Sequence, residues 1–272
     1  MKYIIFSDID GTLIDHNTYS YESAKPALEL LEKHDIPLIF CTSKTRAEIE
    51  VYVNELDSPH PFIPENGGAI FIPKGYFDVN YDYNITYENY NVIELGTEYP
   101  KLRQVLEKIK NSVDSEIIGF GDLDNEGVSK DTGLDIESAR LAKMREYDEA
   151  FKVVGQEEKA SIRIIDIIKS NGLHYTRGGR YWHLMGDNDK GKAVKILSDI
   201  YRKQFGDLQT VGLGDSLNDL PMLQAVDVPY LVQKPDGKHD KSITDSKIIQ
   251  VEGIGPEGWN QAIINLISNN TD

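Results

Sequence analysis

The sequence predicts an α/β protein with a Rossmann-like parallel-sheet core and an inserted α+β domain. Three observations support this prediction. Apolar runs alternate with helical periodicity in residues 1 to about 80, polar motifs follow several of these runs, and the pattern changes in the middle of the chain before it returns near residue 187. A strand–helix–strand order implies right-handed crossovers and therefore parallel strands.

The first predicted strand is the apolar run Tyr3-Ile4-Ile5-Phe6, which runs into Asp8-Ile9-Asp10-Gly11-Thr12. A strand would direct the side chains of Asp8 and Asp10 to the same face. Two such carboxylates suit attack on phosphorus, in which one forms an aspartyl-phosphate and the other protonates the departing oxygen. Taken alone, the motif fits a solvated turn equally well, because Asp and Gly are ordinary turn residues.

A second strand, Leu38-Ile39-Phe40-Cys41, lies between two stretches of helical spacing. The strand is followed by Thr42 and Ser43, which would bring hydroxyls and backbone amides to the start of the next helix. Such a helix N-terminus binds anions readily. The two helical stretches are marked by Ala24, Ala27, Leu28 and Leu31, and by Ile49, Tyr52, Val53 and Leu56.

The polar, tyrosine-rich stretch from Tyr76 to Tyr90 shows no persistent helical or strand period. We therefore expect the chain to leave the core there, which places the core at residues 1–82 and 187–272 and the α+β domain at residues 83–186. Helical patterns at 102–109, 136–144 and 157–170 alternate with short apolar strands in this domain. The pair Gly178-Gly179 between two apolar runs predicts a hairpin.

The core resumes with Asp187-Asn188-Asp189, which can cap a helix that begins at Lys190. The strand Gln209–Leu213 follows and runs into Gly214-Asp215-Ser216-Leu217-Asn218-Asp219. Because open α/β sheets bind ligands at the carboxyl ends of their strands, Asp215 could share Mg²⁺ with Asp8. Asn218 and Asp219 would hold these metal ligands in place without binding the metal themselves. Lys190 could bind a phosphate oxygen. The last helix is predicted to begin near Pro256, with Trp259 in the core.

Composition excludes several classes of function. The net charge of −16, from 29 basic and 45 acidic residues, argues against nucleic-acid binding. No run approaches the ~20 apolar residues of a membrane span. The chain begins with a strand rather than a basic leader, which predicts a cytoplasmic protein. The single cysteine, Cys41, is interpreted as a small core residue. Oligomeric state is not indicated.

These segments, in this order, resemble the haloacid dehalogenase superfamily of phosphohydrolases over essentially the whole chain. The resemblance implies a Mg²⁺-dependent phosphatase in which Asp8 is the nucleophile and Asp10 the acid/base. It also implies that Thr42, Ser43 and Lys190 bind the phosphate, that Asp8, Asp10 and Asp215 hold the metal, and that the inserted α+β domain is a cap that selects the substrate.

Finer motifs are similar to those of the mannosyl-3-phosphoglycerate phosphatase family. The similarity implies hydrolysis of mannosyl- or glucosyl-3-phosphoglycerate to hexosylglycerate, a compatible solute. The sequence does not separate these two epimeric substrates, because side-chain placement distinguishes them. Ser43-Lys44 stands where related sugar phosphatases generally carry Gly-Arg. The matching segments are Thr42–Arg46, Glu65–Ile70, Thr132–Leu134, Arg145–Tyr147 and Gly255–Trp259.

A substrate of this kind offers a carboxylate and sugar hydroxyls, and Arg binds carboxylates well. The candidate residues in the cap are Thr132, Arg145, Arg177, Arg180 and His183, and those in the core are Glu65 and Asn66. The remaining histidines, including His16, are interpreted as structural or exposed. Three other functions stay open: a general sugar-phosphate phosphatase of the Cof or sucrose-phosphatase type, a phosphomutase, and a binding protein with a relic site.

Overall fold

A parallel sheet forms the centre of the computed structural model, which describes residues 2–178 and 180–268. Its five strands are, in spatial order, Ile249–Ile254 (β12), Val228–Gln233 (β11), Leu208–Gly214 (β10), Lys2–Ser7 (β1) and Leu38–Phe40 (β2). The predicted parallel-sheet core is confirmed. Because β1 pairs with β2 on one side and with β10 on the other, a crevice opens beyond the carboxyl ends of β1 and β10.

Helices cover both faces of this sheet. Alternate residues of β1 separate the two packing layers, since Ile5 belongs to one apolar cluster and Ile4 to the other. Trp259 is a buried core residue, as predicted. The first layer contains Lys25–Lys33 (α1), Arg46–Glu55 (α2) and Pro256–Ser268 (α9), and the second contains Lys190–Phe205 (α7) and Leu220–Ala225 (α8).

Side-chain caps fix the start of two of these helices beside the crevice. The Thr45 hydroxyl accepts a hydrogen bond from the Glu48 amide, and the Glu48 carboxylate accepts one from the Thr45 amide, which forms a capping box on α2. The Asp189 carboxylate accepts from the Lys192 amide and caps α7, as predicted. Lys190 is therefore held in the first turn of α7.

A short strand lies inside the tyrosine-rich stretch from Tyr76 to Tyr90, where the sequence interpretation found no regular period, and another strand begins at its end. Ala69–Pro73 (β3), Ile85–Tyr87 (β4) and Tyr90–Glu94 (β5) form an antiparallel sheet in the order β3-β5-β4. All three residues of β4 are exposed, so no apolar alternation marks this strand. Val92 nevertheless packs into the same cluster as the β1 and α1 side chains, which places this hairpin with the core.

The middle of the chain forms a separate antiparallel sheet together with helices, which confirms the predicted α+β architecture of the inserted domain. Its strands are, in spatial order, Glu116–Gly119 (β6), Asp148–Val154 (β7), Tyr181–Met185 (β9) and His174–Gly178 (β8). Strands β8 and β9 form the predicted hairpin, and Gly179 lies outside the described residues. The helices are Tyr99–Lys110 (α3), Asn125–Thr132 (α4), Ile136–Ala142 (α5) and Glu157–Ser170 (α6). Helix α4 was not predicted.

Two connecting segments lie side by side between the sheets. A Cβ atom on Gly186 would lie 2.6 Å from Oγ1 of Thr97, so these two segments touch. Because Val92 of β5 packs with the core and β4 pairs with β5, we propose that the cap spans residues from about Thr97 to Gly186, rather than beginning at residue 83. Among the described residues, no helix combines the length and the apolar character needed to cross a membrane.

Candidate active site

Asp8 and Lys190 form a buried ion pair at the carboxyl end of β1. Lys190 Nζ lies 2.7 Å from Asp8 Oδ1 and 2.5 Å from Asp219 Oδ1, and the Lys190 side chain has no exposed surface. Burial raises the pKa of Asp8 to about 7, against the lowering effect of Lys190. Two carboxylates, Asp8 and Asp219, therefore share one buried lysine.

Three carboxylates meet at this point. Asp8, Asp215 and Asp219 each offer an oxygen, and these oxygens lie within 4.8 Å of one another. Both oxygens of Asp219 are engaged, one with Lys190 and the other with the amides of Asp215 and Ser216. Asp219 thus holds the turn and the lysine, which leaves Asp8 and Asp215 better placed to bind a cation.

The acidic cluster fits a divalent metal ion. Burial raises the pKa of Asp215 well above its ordinary value, and the neighbouring Asp219 and Asp8 raise it further. A bound cation would favour the ionised form of both carboxylates. Oδ1 of Asp10 is also buried without a hydrogen-bond partner. Hard oxygen donors of this kind suit Mg²⁺ and similar ions.

Asp10 faces the same cleft as Asp8 but is held by a different lysine. Lys44 Nζ lies 3.0 Å from Asp10 Oδ2 and 3.5 Å from Glu48 Oε1. The Asp10 side chain is 34% exposed, whereas that of Lys44 is 9% exposed. The second carboxylate of the Asp8-Ile9-Asp10 motif is therefore accessible to a ligand and already oriented by a charged partner.

Thr42 and Ser43 occupy different positions relative to the cleft. Ser43 lines it, but Thr42 is fully buried, and its Oγ1 accepts a hydrogen bond from the Lys44 amide at 3.3 Å. Their proposed contacts with phosphate remain predictions.

A cleft of about 370 Å³ separates the acidic cluster from the cap. The acidic residues that line it, Asp8, Asp10, Glu48 and Asp215, all belong to the core side. His16 also lines the cleft, so its interpretation as merely structural or exposed was incomplete. The cap side contributes Phe120, Thr132, Leu134, Ala142, Arg145, Ala150, Arg180, Tyr181 and His183.

Arg145 and His183 lie on the cap side of the cleft and meet at a buried carboxylate. Asp148 Oδ1 lies 3.5 Å from Arg145 Nη1 and 2.9 Å from His183 Nδ1. Arg145 also donates to the carbonyl oxygens of Ser43 and Ala142. Sequence analysis missed Asp148.

Arg180 contacts the end of helix α4 at the rim of the cleft. Its guanidinium donates to the carbonyl oxygens of Asp131 and Thr132, at 3.2 and 2.9 Å. Among the described residues, no carboxylate lies within ion-pair distance of Arg180. The Thr132 hydroxyl donates to the Val128 carbonyl within α4. Of the arginine and lysine side chains that line the cleft, Arg180 is therefore the one without an ion-pair partner among the described residues.

Glu65 and Asn66, which were predicted to bind sugar hydroxyls, are not among the residues that line the cleft. Glu65 is fully buried, and its carboxylate accepts hydrogen bonds from the amides of Glu146 and Tyr147. Burial raises the pKa of Glu65 to about 8. Asn66 donates to Asp148 Oδ2 at 2.8 Å. These core side chains join the core loop to the cap and do not line the cleft.

Arg177, which was predicted to bind the substrate, is also not among the residues that line the cleft. Its guanidinium pairs with Glu157 and lies 4.7 Å from the centre of the Trp182 ring. Neither partner lines the cleft. Arg177 and Arg180 are close in sequence, but the hairpin directs their side chains to different surroundings.

Gly67 allows the core loop to approach the start of helix α7. Its φ is +84°, and a Cβ atom there would lie 2.2 Å from the Asp189 carbonyl oxygen. We expect Gly67→Ala to lower the free energy of unfolding by at least about 3 kcal/mol, because it adds left-handed strain to a backbone clash. Urea denaturation measures this change.

Gly75 provides the matched control, since its φ is +77° and a Cβ atom there meets nothing within 4 Å. Gly75→Ala should cost only about 1–2 kcal/mol, from backbone strain alone. Equal losses in the two variants would show that the contact between Gly67 and Asp189 is unimportant.

The functional candidates that sequence analysis missed are Lys44, Glu48 and Asp148. Lys44 belongs to the matching segment Thr42–Arg46 and Glu48 lies two residues beyond it, and their spacing of four residues is a detectable signal. Asp148 offers no such signal, because its partners Asn66 and His183 are distant in sequence.

Comparisons with known proteins agree with this geometry. A family model described as haloacid dehalogenase-like hydrolase matches residues 5–236. Over 272 residues the chain is 63% identical to a Methanococcoides burtonii protein named glucosyl-3-phosphoglycerate/mannosyl-3-phosphoglycerate phosphatase, and the match covers 100% of both chains. A Persephonella marina protein of the same name is 40% identical over 269 residues, with 97% of each chain covered.

A solved structure supports the fold. A Bacteroides thetaiotaomicron phosphatase of the HAD enzyme superfamily superimposes with a TM-score of 0.65 at 17% identity, covering 97% of this chain and 95% of the other. At this level of identity the likeness concerns the fold alone.

Proposed function

This chain belongs to the haloacid dehalogenase-like hydrolase family, and we propose that it is a Mg²⁺-dependent phosphatase acting on glucosyl- or mannosyl-3-phosphoglycerate. The observation that carries the proposal is that the carboxylates lining the cleft, around Asp8, all lie on the core side, whereas the cap contributes Arg145 and Arg180 and no carboxylate. This division suits a substrate with a phosphate at one end and another anionic group beyond it. The names of the Methanococcoides and Persephonella relatives support the same substrates.

Asp8 is the nucleophile in the proposed reaction. A carboxylate oxygen of Asp8 attacks phosphorus, the bond from phosphorus to the glycerate oxygen breaks, and an aspartyl-phosphate forms. Lys190 lies at hydrogen-bond distance from Asp8 and stabilises the charge that develops on the phosphate oxygens. Water then attacks phosphorus, which releases phosphate and restores Asp8.

Asp10 moves the proton in both steps. In its protonated form it gives a proton to the departing glycerate oxygen, and in its ionised form it takes a proton from the attacking water. The pairing of Asp10 with Lys44 keeps its carboxylate oriented in the cleft.

Asp8, Asp215 and the main-chain carbonyl of Asp10 would hold the metal ion. When bound, it supplies positive charge that reduces repulsion between the Asp8 carboxylate and the phosphate dianion. We propose Mg²⁺ because the candidate ligands are few and are all oxygens, which leaves places for water and phosphate.

The proposal is tested with the purified protein, Mg²⁺ and four compounds: glucosyl- and mannosyl-3-phosphoglycerate, glucose 6-phosphate and sucrose 6-phosphate. We expect kcat/KM for one or both hexosyl-3-phosphoglycerates to exceed that for the sugar phosphates by at least about a hundredfold. A site that binds a charged group of its substrate discriminates strongly against compounds that lack this group. Comparable values would favour a general sugar phosphatase. Transfer of phosphate to a second sugar hydroxyl, without release to water, would identify a mutase.

Arg180→Ala should separate substrate recognition from chemistry. We expect KM for the hexosyl-3-phosphoglycerate to rise by about tenfold or more, because a charge-assisted hydrogen bond to the substrate carboxylate is lost. Turnover of para-nitrophenyl phosphate, which has no carboxylate, should stay within about twofold of the wild-type rate.

Arg177→Ala is the matched control for this variant, because it removes an arginine from the same hairpin but away from the cleft. It should leave both substrates unaffected. Equal losses for both substrates in Arg180→Ala would assign Arg180 to the fold or to the reaction itself. The predicted cytoplasmic location stays a prediction, which cell fractionation would test.

A further inference from the structure

Asp148 is a fully buried carboxylate that the proposed mechanism does not use. It begins strand β7, and its oxygens contact His183 Nδ1 at 2.9 Å, Asn66 Nδ2 at 2.8 Å and Arg145 Nη1 at 3.5 Å. Although burial raises its pKa, His183, Arg145 and Asn66 together hold the pKa of Asp148 below its ordinary value. Asp148 is therefore an ionised acceptor surrounded by donors.

These contacts fix which nitrogen of His183 faces the cleft. An ionised carboxylate only accepts hydrogen bonds, so Nδ1 of His183 must carry the proton that points to Asp148. Nε2 has no hydrogen-bond partner among residues 2–178 and 180–268, and His183 lines the cleft. Nε2 is therefore the ring nitrogen that is available to a ligand in the cleft.

His183 depends on Asp148 more than Arg145 does. Arg145 is also held by the carbonyl oxygens of Ser43 and Ala142 and lies near the Phe120 ring. For His183, the described residues provide one hydrogen-bonding partner, which is Asp148. Loss of the Asp148 charge should therefore release the imidazole first.

We infer that Asp148 is a positioning residue for substrate recognition: it orients His183 so that Nε2 binds the carboxylate of the phosphoglycerate portion of the substrate. The inference rests on the proposed function. In the proposed complex the ring carries a proton on each nitrogen, so that Nδ1 donates to Asp148 and Nε2 donates to the substrate carboxylate.

Charge distribution in the cleft supports the carboxylate as the ligand of His183. The residues that line the cleft from the cap include Arg145, Arg180 and His183 but no acidic side chain. Asp8, Asp10 and Asp215 all lie on the opposite side, where the phosphate reacts. A second anionic group placed against the cap therefore meets cationic side chains and no carboxylate of the cleft lining.

The test compares two ligands that differ at one group. Glycerol 3-phosphate has a hydroxymethyl group where 3-phosphoglycerate has a carboxylate. Each is measured as a competitive inhibitor of para-nitrophenyl phosphate hydrolysis by the metal-loaded enzyme. In Asp148→Asn, we expect the inhibition constant of 3-phosphoglycerate to rise by about tenfold or more, and that of glycerol 3-phosphate by less than about twofold.

Glu149→Gln is the matched control. Glu149 is the next residue of the same strand, is equally buried, and pairs with Arg103 and Tyr99 on the other face of the sheet. This substitution also neutralises a buried carboxylate of the cap, but it should leave both inhibition constants within about twofold of wild type. A selective effect of Asp148→Asn then reflects the cleft rather than general damage to the cap.

His183→Gln tests whether Asp148 acts through the imidazole. This variant should show the same selective weakening of 3-phosphoglycerate, and adding Asp148→Asn to it should weaken binding by less than about twofold more. It also keeps the inference testable if Asp148→Asn fails to fold. With 3-phosphoglycerate bound, nitrogen NMR of His183 should show protons on both Nδ1 and Nε2 in wild type and on only one of them in Asp148→Asn.

Equal weakening of both inhibitors in Asp148→Asn and His183→Gln, or an unprotonated Nδ1 in wild type, would overturn the inference. Because inhibition by 3-phosphoglycerate is measured whether or not the enzyme hydrolyses hexosyl-3-phosphoglycerates, failure of the inference and failure of the proposed function are distinguishable.

Discussion

Asp8→Asn should abolish turnover, with a loss in kcat of at least about three orders of magnitude. An amide is a poor nucleophile, so the aspartyl-phosphate cannot form. The fold should survive, because Asn has nearly the same shape and its amide oxygen can still accept a hydrogen bond from Lys190. The loss is measured by phosphate release from the hexosyl-3-phosphoglycerate, with circular dichroism to check the fold.

Asp227→Asn provides the control for this variant. Asp227 accepts hydrogen bonds from Thr210 near the amino end of β10, whereas Asp215 follows the carboxyl end of the same strand. The same carboxylate-to-amide change there should leave turnover unchanged. If Asp8→Asn retained a tenth of the wild-type activity in a preparation free of contaminating phosphatase, another residue would be the nucleophile.

Removal of the metal should produce the other large effect. A metal ion provides several kcal/mol of transition-state stabilisation, and each 1.36 kcal/mol corresponds to a tenfold change in rate. We therefore expect activity to fall by at least about a hundredfold after treatment with a chelator and to return when Mg²⁺ is added. Phosphate release before and after dialysis measures both changes.

Ca²⁺ and Asp215→Asn serve as controls for the metal site. Ca²⁺ should restore activity poorly, because it adopts longer and more variable coordination than Mg²⁺ and would misplace the phosphate. Asp215→Asn should raise the Mg²⁺ concentration needed for half-maximal activity, since one of the candidate ligands loses its charge. Full activity after exhaustive chelation would contradict the metal assignment.

The roles of Asp148 and Glu65 show how the cap and the core are joined. Asn66 of the core loop donates a hydrogen bond to Asp148, while the Glu65 carboxylate of the same loop accepts hydrogen bonds from the amides of Glu146 and Tyr147. Two neighbouring core residues therefore hold both ends of a short cap segment. Because this segment also carries Arg145, changes in the core loop should affect recognition as well as stability.

Local patterns in the sequence determined the core and its central motifs. Asp8 and Asp215 directly follow two strands that are largely buried, and the carboxyl ends of adjacent parallel strands lie at the same end of a sheet. The cap helices 102–109 and 157–170 were predicted for the same reason, because their apolar spacing is regular over several turns. Such signals depend on neighbours in the sequence.

Only the tertiary structure decided which polar residues face the cleft. Glu65 and Arg177 were predicted to bind the substrate. In the structure, Glu65 accepts hydrogen bonds from backbone amides, and Arg177 forms an ion pair with Glu157. No sequence pattern marked Asp148, yet its carboxylate contacts Asn66, Arg145 and His183. The physical reason is that a polar side chain acts through partners distant in sequence, and burial makes those partners obligatory. Periodicity and spacing place the elements, but the pairing of buried charges depends on how the core and the cap meet.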